Sequence, residues 1–202
     1  MLRKLVAGAL ILAVCGTAAG VAYASNGHDD NGHSLLSRVK HANDKYHKVS
    51  VAEAASYGKL LDKDGIACID MPGMGAMGIH YANVGLVGDG AINALTPEAV
   101  IYEPQENGHL KLVAIEYVVL KAGWDAHHTA PPSLFGQPFN FTPAGNRFGL
   151  PDYYSLHVWL WKHNPAGTFA PWNPDVSCTP GDDHGHSDDG SHDDHMEMAM
   201  DG

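Results

Sequence analysis

The sequence predicts a single α+β domain over residues 34–178, with an N-terminal helical hairpin, a mainly antiparallel sheet and one disulfide. Three observations predict this class. Apolar residues recur at helical spacing after Ser34. An Asn107-Gly108 pair, the strongest short hairpin signal, separates two stretches of strand-like sequence. Cys68 and Cys178 frame most of the domain. About 150 residues are enough to build one ordinary hydrophobic core.

Two helices are predicted at the start of this domain. The first begins at Ser34, which can cap it, and its apolar face carries Leu35, Leu36, Val39, Ala42 and Tyr46. The second spans residues 51–61 and follows Ser50, with Glu53 placed three residues later as in a capping box. We expect the two helices to form a hairpin that packs one face on the sheet.

The clearest strand pair comprises residues 99–104 and 109–120. Alternation along this pair places Glu103 and Glu116 on one face, with Glu103 opposite Leu112. Both faces are otherwise apolar, which predicts a central hairpin that is covered on both sides. Further strands are predicted over residues 66–69, 79–84 and 153–162, and the last of these places His157, Trp159 and Trp161 on one face.

The first 24 residues have the pattern of a secretory signal peptide. Arg3 and Lys4 precede an apolar run over residues 5–14, and Ala22-Tyr23-Ala24 has the small-x-small form of a cleavage site. The run is too short to span a membrane comfortably, so no stable membrane insertion is expected after cleavage. The pattern predicts a secreted or periplasmic protein, and residues 25–33 are predicted to be a disordered leader.

Two cysteines remain after such a cleavage, Cys68 and Cys178. In an oxidising compartment the simplest expectation is one disulfide between them. The alternative is a pair of thiolate ligands for a soft metal ion.

Residues 179–202 are predicted to form a disordered His/Asp/Met-rich tail. They contain seven Asp and one Glu, and they account for most of the formal net charge of −11. An acidic tail of this kind makes nucleic acid an unlikely partner. Imidazoles suit zinc and copper, and thioethers favour Cu(I). The candidate metal ligands of the tail are His184, His186, His192, His195, Met196, Met198 and Met200. The alternative is a solvated acidic tail without a metal.

A second candidate metal site lies within the domain. Glu116 is the only carboxylate in an apolar strand, where an unpaired charge is costly. Its predicted companions are Glu103, His80 and His157, each on a strand. Two histidines and two glutamates suit zinc, or an acid–base pair. The alternative is that Glu116 pairs with a basic residue, Arg147 or Lys121, while the histidines bond to backbone carbonyls.

Residues 70–80, DMPGMGAMGIH, suggest a ladder of soft ligands but contain four helix-opposing residues. Pro72 and three glycines favour a turn that leads into a strand. Met71 and Met74 are therefore expected to be exposed or to fill gaps, whereas Met77 stays a ligand candidate. Trp159 and Trp161 could line an apolar ligand pocket, although such a stripe more often belongs to a core.

Several motifs together resemble those of a family of uncharacterised secreted bacterial proteins. They are Lys45-Tyr46-His47, Met77-Gly78-Ile79-His80-Tyr81, Pro97-Glu98, Ile115-Glu116-Tyr117 and the run LHVWLWKHNP over residues 156–165. The likeness spans roughly residues 41–178. It implies one exported domain, and it transfers no activity or catalytic residue because the family has none assigned.

The sequence thus predicts an exported protein that captures or buffers copper or zinc. Its ligands would be the tail and an internal His/Glu site. One alternative is a secreted small-ligand-binding or enzymatic domain with an aromatic pocket around Glu116 and His157. Another is an envelope structural or interaction domain. The sequence contains no Gly-x-Ser-x-Gly, phosphate-loop, dinucleotide-binding or His-Glu-x-x-His motif. Whether the protein is an enzyme therefore stays open, with binding favoured over catalysis.

Overall fold

The computed structural model of the protein describes residues 30–179. Helix α1 (Asp30–Asn43) begins before the predicted Ser34, and a 3-10 helix (Asp44–His47) joins it to α2 (Val49–Ala54). Both α1 and α2 contact the 3-10 helix. The structure does not show the predicted helical hairpin. The N-cap of α2 is Lys48, which makes no side-chain cap hydrogen bond, so the expected capping box at Ser50 does not form.

A mainly antiparallel sheet follows, as predicted. Its strands are β1 (Gly58–Lys59), β2 (Cys68–Met71), β3 (Gly75–Ala82), β4 (Ala99–Pro104), β5 (Leu110–Leu120), β8 (Asn140–Thr142) and β9 (Tyr153–Trp159), while β6 (Ser133–Leu134) and β7 (Gln137–Pro138) form a separate pair. The strand order is β1-β3-β4-β5-β9-β8, with β2 paired to β3. Two short helices, α3 (Val84–Val87) and α4 (Lys121–Asp125), connect strands.

The β4–β5 hairpin lies at the centre of the sheet, and its register agrees with the prediction only in part. Ala99 pairs with Glu116 as expected. A bulge between Ile101 and Tyr102 then shifts the pairing by one residue, so Glu103 lies opposite Lys111 and not Leu112. Strict alternation assumes a regular ladder, and the extra residue of a bulge breaks that assumption.

Both faces of the sheet are covered, as predicted. One face packs against the helices, which contribute Val39, Tyr46 and Ala52 to a large apolar cluster. The opposite face, which we call the site face, carries a smaller cluster of Ala76, Ile101, Val113, Ala114, Trp159 and Val176. Burial on both faces fixes which side chains of each strand point towards which layer.

Residues 164–178 form a segment, here called the C-terminal strap, that binds to β3. Asn173 is fully buried and exchanges two backbone hydrogen bonds with Ala76, both of 3.1 Å. The strap ends at Cys178, which forms a disulfide with Cys68 on β2. The predicted disulfide is confirmed, and it ties the strap to the edge of the sheet.

Gly75 allows the close contact between β3 and the strap. Its φ is +83°, and a Cβ atom built there would lie 2.1 Å from the backbone oxygen of Asn173. We expect Gly75→Ala to lower the free energy of unfolding by at least about 2 kcal/mol, because both the left-handed conformation and the clash are costly. Urea denaturation measures this loss.

Gly73 provides the matched control. It also has a positive φ, of +79°, but no atom lies within 4 Å of the position that a Cβ atom would take there. Gly73→Ala should therefore lose only the conformational contribution, about 1 kcal/mol. Equal losses in the two variants would contradict the account of the strap contact.

Among the described residues, no helix is long and apolar enough to cross a membrane.

Candidate metal centre

Three buried side chains from three strands converge on the site face: His80 of β3, Glu116 of β5 and His157 of β9. Glu116 and His157 are direct cross-strand partners. On β4, Ile101 pairs with His80 and Ala99 pairs with Glu116, so His80 and Glu116 meet diagonally across this strand.

The donor atoms lie close together. His80 Nε2 is 3.4 Å from Glu116 Oε2 and 3.4 Å from His157 Nε2. His157 Nδ1 is 3.3 Å from Glu116 Oε1. Taking one donor from each residue, the three atoms fall within 4.8 Å of one another.

These separations fit a tetrahedral ion. Zinc bonds to nitrogen and oxygen are about 2.0–2.1 Å long, and a tetrahedral angle between two such bonds places the donors about 3.4 Å apart. The two separations from His80 Nε2 have this value. The short contact between His157 and Glu116 is made by Nδ1, the other ring nitrogen of His157, so the third separation has only the 4.8 Å upper bound of the group.

Burial keeps both imidazoles neutral. His80 and His157 are each 2% exposed, and burial lowers the pKa of His80 to about 4 and that of His157 to about 3. Burial also raises the pKa of Glu116, an effect that the nearby His80 opposes. Neutral imidazole is the form that binds a metal, and a bound cation would favour the ionised carboxylate.

The Nδ1 ring nitrogens of both histidines form no hydrogen bond of standard geometry among the described residues. Nδ1 of His80 and Nδ1 of His157 are buried and unsatisfied within residues 30–179. The 3.3 Å approach of His157 Nδ1 to Glu116 does not meet the angular requirements of a hydrogen bond. A purely structural core histidine normally has its polar atoms satisfied. In the described part of the chain the structure shows no backbone carbonyl bonded to His157, whereas the backbone of Gly78 lies close enough to His80 to act on its pKa, so the alternative of histidines bonded to backbone carbonyls stays open for His80.

Neither basic residue proposed as an alternative partner reaches Glu116. Arg147 pairs with Asp62 at 3.1 Å, and Lys121 pairs with Asp125 on its own helix. A buried carboxylate beside two neutral imidazoles is costly, which is a pattern typical of functional sites.

Glu103, the fourth predicted member of the group, does not join it. Its Oε1 accepts a hydrogen bond of 2.7 Å from Lys162 Nζ, and the backbone N–H of Ser177 on the strap lies 3.4 Å away. Glu103 is 6% exposed and already has a cationic partner. The prediction of a four-residue internal site is thus corrected to three residues.

A cavity of about 210 Å³ opens onto the three side chains, and we call it the larger cavity because it is the larger of two that border this group. Besides the three candidate ligands it is lined by Met77, Asn140, Thr142, Phe148, Tyr153, Ser155, Pro171 and Trp172. A metal bound by three protein ligands would keep a coordination position open to a small ligand.

The two tryptophans that were predicted to line an apolar pocket, Trp159 and Trp161, make packing contacts instead. Trp159 is 5% exposed and donates its indole N–H to the carbonyl of Ala170. Trp161 donates to Asp44 at 2.8 Å. Neither residue lines the larger cavity, so both belong to packing. Trp172 of the strap is the tryptophan at the cavity.

The methionines of residues 70–80 divide as the sequence predicts. Met71 and Met74 are 43% and 48% exposed at the turn between β2 and β3. Met77 lies on β3 and lines the larger cavity. The tail ligands, His184, His186, His192, His195, Met196, Met198 and Met200, lie outside the described residues, as does the predicted signal peptide.

Comparison with protein-family models, curated proteins and solved structures finds no match to this chain. The resemblance to secreted bacterial proteins stays a prediction. Several cavity residues were missed by sequence reasoning, and only Ser155 carried a usable signal, since it lies two positions before His157 on the same strand face.

Glu98, a buried carboxylate outside the metal group, should make stability depend on pH. Its Oε2 accepts a hydrogen bond from Val118 N, and burial raises its pKa to about 8 from 4.5. Between these values the folded protein holds a proton that the unfolded chain has lost, so stability falls as pH rises from 5 to 8. We expect Glu98→Gln to abolish this fall in the free energy of unfolding, which is on the order of a few kcal/mol.

Urea denaturation at several pH values measures this dependence. Glu53→Gln is the matched control, because Glu53 is exposed on α2. The control should keep the wild-type pH slope, and a Glu98→Gln slope equal to that of the wild type would contradict the assignment.

Proposed function

We propose that this protein binds a divalent metal ion, zinc or copper(II), through His80, Glu116 and His157. The observation that supports the proposal is the convergence of three buried side chains from three strands, whose donor atoms all lie within 4.8 Å of one another. The two separations from His80 Nε2 match a tetrahedral ion, and both imidazoles are neutral, so binding does not require the histidines to lose protons first.

The donor set supports the choice of metal. Two nitrogens and one carboxylate oxygen suit zinc and copper(II), whereas Cu(I) prefers thiolates and thioethers. Both sulfur atoms of Cys68 and Cys178 are used in the disulfide. Met77 is the one described methionine that lines the larger cavity, so the site offers a single thioether and does not suit Cu(I). Zinc is therefore the first metal to test, and copper(II) the second.

The setting of the protein is part of the same proposal. A disulfide is typical of proteins in an oxidising compartment, which agrees with the predicted signal peptide over residues 1–24. We propose a secreted or periplasmic protein in which the His/Asp/Met-rich tail collects ions at moderate affinity. The ordered group of three donors would bind them more tightly, since its ligands are already fixed by the sheet.

Calorimetric titration of the full-length chain with zinc separates the two sites. His80→Ala should lower the affinity of the tight site by more than about 100-fold, because even changes next to a metal ligand cost 10- to 100-fold. A tail variant in which alanine replaces His184, His186, His192 and His195 should keep the tight site. If the His80→Ala chain binds as the wild type does and the tail variant binds nothing, the proposal of an internal site is wrong.

The second candidate function is a small-ligand-binding or enzymatic domain. The observation that favours it is the larger cavity, which places space for a small molecule beside the same three residues. The converging donors also favour either of these functions over a purely structural envelope domain.

A further inference from the structure

A second cavity borders the metal group from another side. It has a volume of about 60 Å³ and also touches His80 and Glu116. Apart from these two residues its walls are almost entirely apolar, and we call it the apolar cavity. Its aliphatic walls are formed by Leu60, Ala82, Val84, Val87, Val118 and Leu150.

Both cavities border the metal group. Phe148 and Tyr153 line both of them, together with His80 and Glu116. The ring centre of Phe148 lies 6.1 Å from that of His80. Because His80 and Glu116 themselves line the apolar cavity, a ligand of an ion that they hold has aliphatic side chains within its reach.

The charge of the group selects the polar end. A divalent ion with one carboxylate and two neutral imidazoles carries a net charge of +1. The three residues are buried, and an unbalanced charge in such surroundings is costly. A ligand with one negative charge and an oxygen donor would neutralise the centre and fill its open coordination position.

We infer that the site binds a small organic monoanion, with its oxygen donor on the metal and a short aliphatic end in the apolar cavity. This inference rests on the proposed metal site and adds the class of ligand. A preference for an aliphatic end follows from the cavity walls, and a limit on chain length follows from its small volume.

Short-chain monocarboxylates test the inference. The full-length tail variant is loaded with one equivalent of Co²⁺, whose visible spectrum reports changes in coordination, and is titrated with acetate, propionate, butyrate and hexanoate. We expect affinity to rise about fourfold for each methylene that enters the apolar cavity, and to stop rising once the chain outgrows it.

Filling the cavity should abolish this gain. Ala82→Leu adds bulk to its wall, and Ala54→Leu is the matched control because Ala54 is exposed at the end of α2. The control should keep the dependence on chain length. If Ala82→Leu does not fold, Val87→Phe on the short surface helix α3 fills the same cavity.

The outcomes separate the two proposals. Suppose that the visible spectrum shows Co²⁺ bound at the site, but the carboxylate affinities do not depend on chain length or do not change when the cavity is filled. This result would overturn the ligand inference and leave the metal site intact. Failure of the site to bind Co²⁺ or zinc at all would overturn the metal site itself.

Discussion

Glu116→Gln is expected to lower zinc affinity by more than about 100-fold and, at the same time, to raise the melting temperature of the metal-free protein. The loss of affinity follows from removal of the only anionic ligand in the group. The gain in stability follows because a buried carboxylate that binds no metal is costly to fold.

The sign of the pH dependence is also defined. Burial raises the pKa of Glu116 above its value in the unfolded chain, so its contribution makes the metal-free protein less stable as pH rises through the folded pKa. Glutamine keeps the shape of the side chain but cannot ionise. The stabilisation by Glu116→Gln should therefore be larger at pH 8 than at pH 5, as measured by thermal unfolding in the presence of a chelator.

Glu103→Gln is the matched control, since Glu103 is also a buried glutamate of the central hairpin. It should leave zinc affinity unchanged, and it should destabilise the fold because Lys162 loses its ion-pair partner. Equal zinc affinities for Glu116→Gln and Glu103→Gln would contradict the assignment of Glu116 as a ligand.

Removal of the Cys68–Cys178 disulfide is expected to cost about 4–5 kcal/mol of folding stability in the chain-entropy model. The two cysteines are 110 residues apart, so the bond closes a long loop and strongly restricts the unfolded chain. The measurement is urea denaturation of Cys68→Ser/Cys178→Ser. A Cys15→Ala background is used for both chains, so that no third thiol takes part.

Reductant provides the control for this substitution. It should destabilise the parent chain to a similar extent and have no effect on the double serine variant.

Loss of the disulfide should also loosen the strap. Since Pro171 and Trp172 of the strap line the larger cavity, zinc affinity should fall as well. A loss of stability below about 1 kcal/mol would contradict the loop-closure argument.

The parts of the fold that the sequence predicted well depend on local chemistry. The Asn107-Gly108 pair and the alternation on either side of it predicted the central hairpin and the face of Glu116. The paired cysteines and the turn of residues 70–80 were likewise predicted from their own composition.

The second helix shows where local patterns fail. Its apolar spacing predicts a helix to residue 61, but α2 ends at Ala54 and Ser56 adopts a positive φ of 67°. Tyr57 then donates a hydrogen bond of 2.6 Å to the carbonyl of Pro97. A long-range contact thus overrides a local preference, which sequence spacing does not report.

The metal group was predicted in part for a related reason. Alternation reports the face on which a side chain lies but not which strands are neighbours. His157 meets Glu116 because β9 pairs with β5, and His80 meets it diagonally across β4, from the position opposite Ile101. Glu103 instead accepts a hydrogen bond from Lys162, which lies beyond the end of β9. Trp172 was missed because it lies on the strap, outside any strand pattern.

Anomalous diffraction at the zinc absorption edge, from crystals of the zinc-loaded full-length protein, tests the central claim most directly. We expect a peak within about 2.0–2.2 Å of one nitrogen each of His80 and His157 and of a carboxylate oxygen of Glu116. A zinc-saturated crystal with no peak between these three residues, or with zinc bound only elsewhere, would contradict the proposed metal site.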